Sequence, residues 1–275
     1  MKVFDFLMTH PVFSYKEYLE EVGEGVRNKR TLDALLLHHS KGGHVLRVRR
    51  GLFVSVPFGT DPENCPVDPF LLAGKMMEDA VLAYHTALEF YGEAYSSWNR
   101  FFVLSNKTSP KFVFRGQEFH VVSFPGSLRR SGAVGLGVQT GERLGLPLQV
   151  TTLERTLVDV LDRPELSGGW EEVWRSLESI RALDLELVVR YTLALGNATT
   201  TAKVGFFLER HRESLMVEEK HLSPLREEKP RTRHYMDRTK RSGGRFVRDW
   251  NLIVPEDVIH RSWEENYGSV TGNPP

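Results

Sequence analysis

Apolar and polar positions along the first third of the chain change period several times. Ser14 and Glu17 have the spacing of a capping box, so a helix is expected after Ser14, with Tyr18, Leu19 and Val22 inward and a stop at Gly23. Asn28 is the next N-cap. Leu32, Leu35, Leu36 and His39 then share one face of a helix over about 29–39, which Lys41, Gly42 and Gly43 terminate. From His44 the period shortens: Val45, Arg47 and Arg49 fall on one parity, Leu46, Val48 and Arg50 on the other. Gly51 breaks the run, and Leu52 to Val56 is continuously apolar. Two strands joined at an Arg-Arg-Gly bend account for this segment. The first ten residues, interrupted by Asp5, read as a packed helix or strand and not as an export signal.

Helix, glycine-containing turn, helix and basic hairpin is the order of a winged helix-turn-helix. In such a module the start of the second helix meets base edges, and the hairpin places cations on phosphates or in the minor groove. Asn28, Lys29, Arg30 and Thr31 at that helix start, Lys41 at its end, and Arg47, Arg49 and Arg50 on the hairpin are therefore the candidate DNA contacts. The alternative is an ordinary helix and hairpin with a solvated basic face.

Beyond residue 57 the pattern is mixed. Residues 58–67, rich in proline, are read as a linker between a DNA-binding domain at 1–57 and a larger domain at 68–256, with a flexible tail at 257–275. Helices are expected from Asp68 to Met77 and from Asp79 to Tyr91. Strands are expected at 100–104, 111–114, 118–124 and 148–150, with glycine-rich loops and one short strand over 126–147. A mainly helical stretch follows from Thr152 to about residue 215, and a last strand covers 250–254. The fold class is thus α/β (α+β), a winged helix followed by a mixed domain whose second half is mostly helical.

Composition narrows the chemistry. Lys and Arg number 36, as do Asp and Glu, so affinity for nucleic acid has to come from local patches. Residues 1–56 hold nine basic against six acidic side chains, and residues 220–248 hold ten against three. In the latter stretch Lys229, Arg231, Arg233, Arg238, Lys240, Arg241, Arg245 and Arg248 interleave with Tyr235 and Phe246. This makes a candidate second basic surface, or else a solvated charged loop. The single cysteine, Cys65, excludes an internal disulfide and a cysteine-based zinc site, and with no apolar run of membrane-spanning length the expected location is cytoplasmic.

Catalytic patterns are weak. Gly132 to Gly141 lacks the Lys-Ser/Thr of a phosphate loop, and Gly126-Ser127 has no acidic pair after it. Glu218 and Lys220 have nuclease-like spacing with no evident acidic partner to hold a cation. No enzyme, metal or cofactor is expected. Arg155 and Asp159 are spaced for an internal ion pair; with Glu154, Asp162 and Arg163 they also form a polar group able to line a site. His85 reads as a hydrogen-bonded core histidine.

Three phrases together carry a resemblance: RRGLFVSVP ending the hairpin, VLAYHTALEFYG at 81–92, and VTTLERTLVDVLDRPELSGGWEEVWRSLESI at 150–180. The chain resembles the AbiEi antitoxin and transcriptional-regulator family of AbiE-type abortive-infection systems, over about residues 13–254. The resemblance implies a winged helix that binds inverted repeats in double-stranded operator DNA, as monomer or dimer, and represses its own operon. It further implies a C-terminal domain that opposes a nucleotidyltransferase-like toxin without a stable complex. The rival readings are a repressor of a defence or mobile-element operon without a toxin, a nucleic-acid-processing enzyme delivered by its winged helix, and a winged helix used for protein contacts.

Overall fold

The computed structural model describes residues 3–23, 28–239, 243–261 and 263. Helix α1 (Val3–Thr9) leads into strand β1 (Val12–Ser14), α2 (Tyr15–Glu21) and α3 (Lys29–Lys41), then the hairpin β2 (Val45–Arg49) and β3 (Leu52–Ser55). The capping box forms as expected: Ser14 Oγ accepts from the Glu17 N–H, and Glu17 accepts from the Ser14 N–H at 2.8 Å. Asn28 caps α3, its side-chain oxygen accepting from the Arg30 N–H at 3.0 Å. The turn that ends α2 is tight, since a Cβ on Gly23 would sit 2.1 Å from the Leu19 carbonyl oxygen.

Strands β1, β3 and β2 make an antiparallel sheet in that order. One face carries Phe13, Phe53 and Val45 into a core with Phe6, Tyr18, Val22, Leu32 and Leu36. The other face carries Val12, Val54 and Leu52, which are also buried. That explains the unbroken apolar run at 52–56: β3 is covered on both sides and has no solvent parity.

The chain next forms α4 (Pro69–Lys75), β4 (Val81–Leu82), α5 (His85–Tyr91), β5 (Arg100–Ser105), β6 (Phe112–Phe114), β7 (Gln117–Ser123), α6 (Gly126–Ser131), β8 (Val138–Arg143) and β9 (Leu146–Thr151). After these come α7 (Leu153–Asp162), α8 (Trp170–Ser179), α9 (Leu185–Leu195), α10 (Ala198–Arg210), α11 (Glu219–Glu227), β10 (His234–Tyr235), β11 (Arg245–Val247), β12 (Leu252–Val254) and α12 (Glu256–His260). The architecture is mixed α/β. No described helix is long and apolar enough to cross a membrane.

Two compact units emerge. The first gathers residues 1–82, 99–123 and 140–150, and the second 83–98, 124–139 and 151–275. The first holds the N-terminal module and a six-stranded mixed sheet of order β6-β7-β5-β4-β9-β8. This partition differs from the expected one at 58–67. That segment is pinned within the first unit: Arg115 donates to the Cys65 and Pro62 carbonyls, the latter at 2.7 Å, and Cys65 is fully buried.

Local expectations also change. The helix expected from Asp79 to Tyr91 is a strand followed by a helix. Val81 and Leu82 pair with β5 and β9, and Asp79 instead accepts from Ser105 Oγ and the Asn106 N–H. Residues 126–147 form a helix and two strands, not mostly loop. The second unit is helical except for a small sheet of order β10-β12-β11, as the expected helical second half requires. Of the tail expected at 257–275, residues through His260 continue α12 and Val258 is buried. Residues 264–275 lie outside the described residues.

Candidate nucleic-acid interface

Helix α3 presents two unlike faces. Leu32, Leu36 and His39 are buried, whereas Asn28, Lys29, Arg30, Thr31, Leu37, His38 and Lys41 are exposed. Asn28 gives its carboxamide oxygen to the helix cap, so its contribution is chiefly to fix where α3 begins. Lys29 lies over the ring of Tyr15 at 5.4 Å, and the Tyr15 hydroxyl donates to Asp33. That bond, with burial and the carboxylate charge, pushes the Tyr15 pKa up to about 12. Tyr15 thereby links the start of α2 to the first turns of α3, a role its place in the capping box did not suggest.

His39 is enclosed at the other end of the helix. It meets Phe4 edge-on at 5.6 Å and His44 at 6.0 Å, and burial with the neighbouring His38 and His44 lowers its pKa. Burial thus favours its uncharged form.

The hairpin separates its three arginines. Arg47 pairs with Phe53, but Arg49 pairs with Leu52, because a bulge between them admits Val48 as an extra residue. One inserted residue reverses side-chain parity. Arg47 and Arg50 are exposed. Arg49 turns inward: it donates to Ser109 Oγ at 3.1 Å and to the Met76 carbonyl, and its guanidinium lies over the Phe112 ring at 4.8 Å. Burial lowers its pKa. Arg49 is therefore removed from the expected set of phosphate contacts, whereas Lys29, Arg30, Thr31, Lys41, Arg47 and Arg50 are exposed. Asp33 is exposed on the same helix, but Tyr15 already occupies it.

In the second unit the basic residues expected as a second surface are only partly brought together. Arg231, Arg233, Arg238, Arg245 and Arg248 are exposed. Arg238 reaches Asp162 at 3.5 Å, and Lys229 donates to the Asp249 carbonyl at 2.5 Å. Lys240 and Arg241 lie outside the described residues.

Of the polar group at α7, Arg155 and Asp159 are interior, while Glu154, Asp162 and Arg163 are partly exposed. Arg155 is fully buried, donates to the Val134 and Leu136 carbonyls at 2.7 and 2.9 Å, and pairs with Asp159 at 3.3 Å. The Tyr191 hydroxyl donates to the other Asp159 oxygen at 2.6 Å, and the guanidinium lies between the Phe124 and Tyr191 rings. This arrangement ties α7, α9 and the 134–136 loop together. Likewise His85 is fully buried, with Nε2 3.2 Å from Glu172 and its ring stacked on Trp98 at 4.1 Å. Burial alone would lower its pKa, but Glu172 and Glu89 outweigh it and raise it.

Lys203, unremarked in sequence, is buried on α10. Its ammonium donates to the Leu161 carbonyl at 2.9 Å, at the C-terminal end of α7, beside a cavity of about 120 Å³ that Asp162, Trp170 and Arg238 also line. Burial lowers its pKa to about 8. Glu218 and Lys220 pair with each other at 3.3 Å at the start of α11. Among the described residues there is no group of three His, Cys, Asp or Glu able to hold a metal.

Against known proteins, no family model matches the chain, and no curated protein matches its sequence. Three chains of solved structures match its fold. One is the crystal structure of the Rv2827c protein from Mycobacterium tuberculosis, 16% identical, aligned over 96% of this chain and 93% of that one with a TM-score of 0.60. At that identity the likeness concerns the fold alone.

Proposed function

We propose that the chain is a DNA-binding autorepressor and the antitoxin of an AbiE-type system. The observation that carries the DNA half is the exposure of Lys29, Arg30, Arg47 and Arg50 at the start of α3 and the tip of the β2–β3 hairpin, in one module ordered α1-β1-α2-α3-β2-β3. That order is the order of a winged helix. Helix α3 is the reading element, and its N-terminal side chains meet base edges in the major groove. Arg47 and Arg50 hold the flanking backbone. Two copies on an inverted repeat, with half-sites roughly 34 Å apart, multiply the specificity of so small a module.

The antitoxin half rests on the sequence likeness at 81–92 and 150–180. The second unit, anchored by Arg155–Asp159–Tyr191, is the part we assign to opposing a nucleotidyltransferase-like toxin, in the cytoplasm and without a stable complex. No catalysis is assigned to it. The experiment is a footprint on the DNA upstream of the chain's own gene, paired with co-expression of the adjacent nucleotidyltransferase-like protein. Protection of an inverted repeat and relief of growth arrest are expected. Absence of protection removes the repressor role, and continued arrest removes the antitoxin role.

A further inference from the structure

The small sheet of the second unit has one face committed to the core and one open. On the committed face Leu252 and Val254 are fully buried against α10, and His234 Nδ1 lies 2.7 Å from Thr199 Oγ1 of that helix. The register then dictates the open face. Tyr235 pairs with Ile253, and Ile253 pairs with Phe246, so these three side chains form one row across β10, β12 and β11. Residues directly opposite one another in a ladder project to the same side. Tyr235 and Ile253 are half-buried and Phe246 is 36% exposed, an apolar row on a surface otherwise strongly charged.

Arginines bracket that row. Arg231 and Arg233 precede β10 and Arg248 follows β11, all three exposed; Arg245, also exposed, pairs with Val254 and so belongs to the other side of the sheet. Arg233 lies over the Phe246 ring at 4.6 Å. Among the described residues, none of the three has a carboxylate within ion-pair distance, whereas Arg238 nearby in the chain is paired with Asp162. In a chain with equal numbers of acidic and basic residues, three arginines beside one row and without acidic partners favour an anion there.

Aromatic rings on an open sheet face, with guanidinium groups at its margin, suit a ligand that alternates flat apolar groups with negative charges. A duplex has its base faces closed by stacking, and an acidic peptide does not by its nature carry an aromatic ring beside each charge, as a single-stranded polynucleotide does. We propose that this face binds a single-stranded polynucleotide, with bases stacked on Phe246 and Tyr235 and the phosphates held by Arg231, Arg233 and Arg248. The guanidinium of Arg233 is itself a stacking plane, so a base entering there is sandwiched or replaces it over Phe246. This inference goes beyond the operator-binding role and uses only residues of the second unit.

The test is fluorescence anisotropy of the full chain with a labelled oligouridylate, an oligothymidylate and a duplex. Phe246→Ala is expected to weaken single-strand binding roughly tenfold, the scale of one lost base stack, while Phe246→Tyr keeps it. Arg231→Ala/Arg248→Ala, at two exposed positions, is expected to weaken it and to flatten its salt dependence. Arg47→Ala/Arg50→Ala is expected to lose duplex binding and retain single-strand binding, which separates this proposal from the operator role. Equal binding of both single strands by wild type and Phe246→Ala, or no single-strand binding at all, overturns the proposal. So does duplex binding that needs the second-unit arginines but not Phe246, which would make the patch purely electrostatic.

Discussion

Arg47 and Arg49, two residues apart in β2, face opposite sides of the N-terminal sheet. Regular alternation would put them on the same side; the bulge at Val48 prevents it, pairing Arg47 with Phe53 and Arg49 with Leu52. A triplet of arginines that reads as one basic patch is thus divided between solvent and the interior of the first unit. Only Arg47 and Arg50 remain available to a nucleic acid.

Arg49 should therefore behave as a structural residue. Arg49→Ala leaves the Met76 carbonyl and Ser109 without their donor and uncovers the Phe112 ring, at a cost of about 1–2 kcal/mol. Chemical denaturation should show that loss, with the salt slope of DNA binding unchanged.

Gly205 is expected to reject even alanine. A Cβ there would lie 2.2 Å from the Trp250 ring, whose Nε1 is fixed by Glu209 at 2.8 Å. Alanine improves helix propensity by about 1 kcal/mol, but overpacking costs about 1–3 kcal/mol. The clash wins or cancels the gain, so Gly205→Ala gives no rise in thermal midpoint. Gly205→Ala/Trp250→Phe should recover part of any loss.

The His85–Glu172 pair makes stability depend on pH in two directions. His85 is raised above its ordinary 6.5, so its contribution is complete below 6.5 and is lost as pH rises through the folded value. Glu172 is lowered below its ordinary 4.5, chiefly because its bonds to His85 and Ser96 outweigh burial, so its contribution is present above 4.5 and lost as pH falls through the folded value. The pair stabilises most between these limits. Denaturation midpoints of wild type and His85→Gln should diverge most in that window and converge outside it.

Lys203 acts at higher pH. Its folded pKa of about 8 lies below the ordinary 10.5, so the unfolded chain binds more protons between those values and stability rises with pH there. Lys203→Met should lack that rise. An identical slope in the variant would assign it to other groups.

Helix starts were the most legible features, because caps act locally. Ser14 and Asn28 cap as expected, and α4 and α7 begin just after Asp68 and Thr152, whereas no helix begins at Asp79. Periodicity likewise located α3 and the helical stretch that holds α7 to α10. It failed where tertiary contacts decide between equals: Val81 and Leu82 sit in an apolar run that suits a buried strand or a buried helix, and only pairing with β5 and β9 settles it. The candidate interface was legible in residue type but not in orientation. Nothing in RVRRG announces the bulge that withdraws Arg49, and nothing in TTTAKVGFF marks Lys203 as buried, since its partners are carbonyls of α7 some forty residues earlier.

The central claim is that Arg47 and Arg50, but not Arg49, hold the DNA backbone. The direct measurement is affinity for the chain's own upstream duplex across a salt series, for wild type, Arg47→Ala/Arg50→Ala and Arg49→Ala. Each phosphate contact contributes roughly 0.9 to the slope of log affinity against log salt. Weaker binding and a slope shallower by about 1.8 are expected for the double variant, with the wild-type slope kept by Arg49→Ala. Equal slopes for wild type and the double variant, or a loss confined to Arg49→Ala, would contradict it.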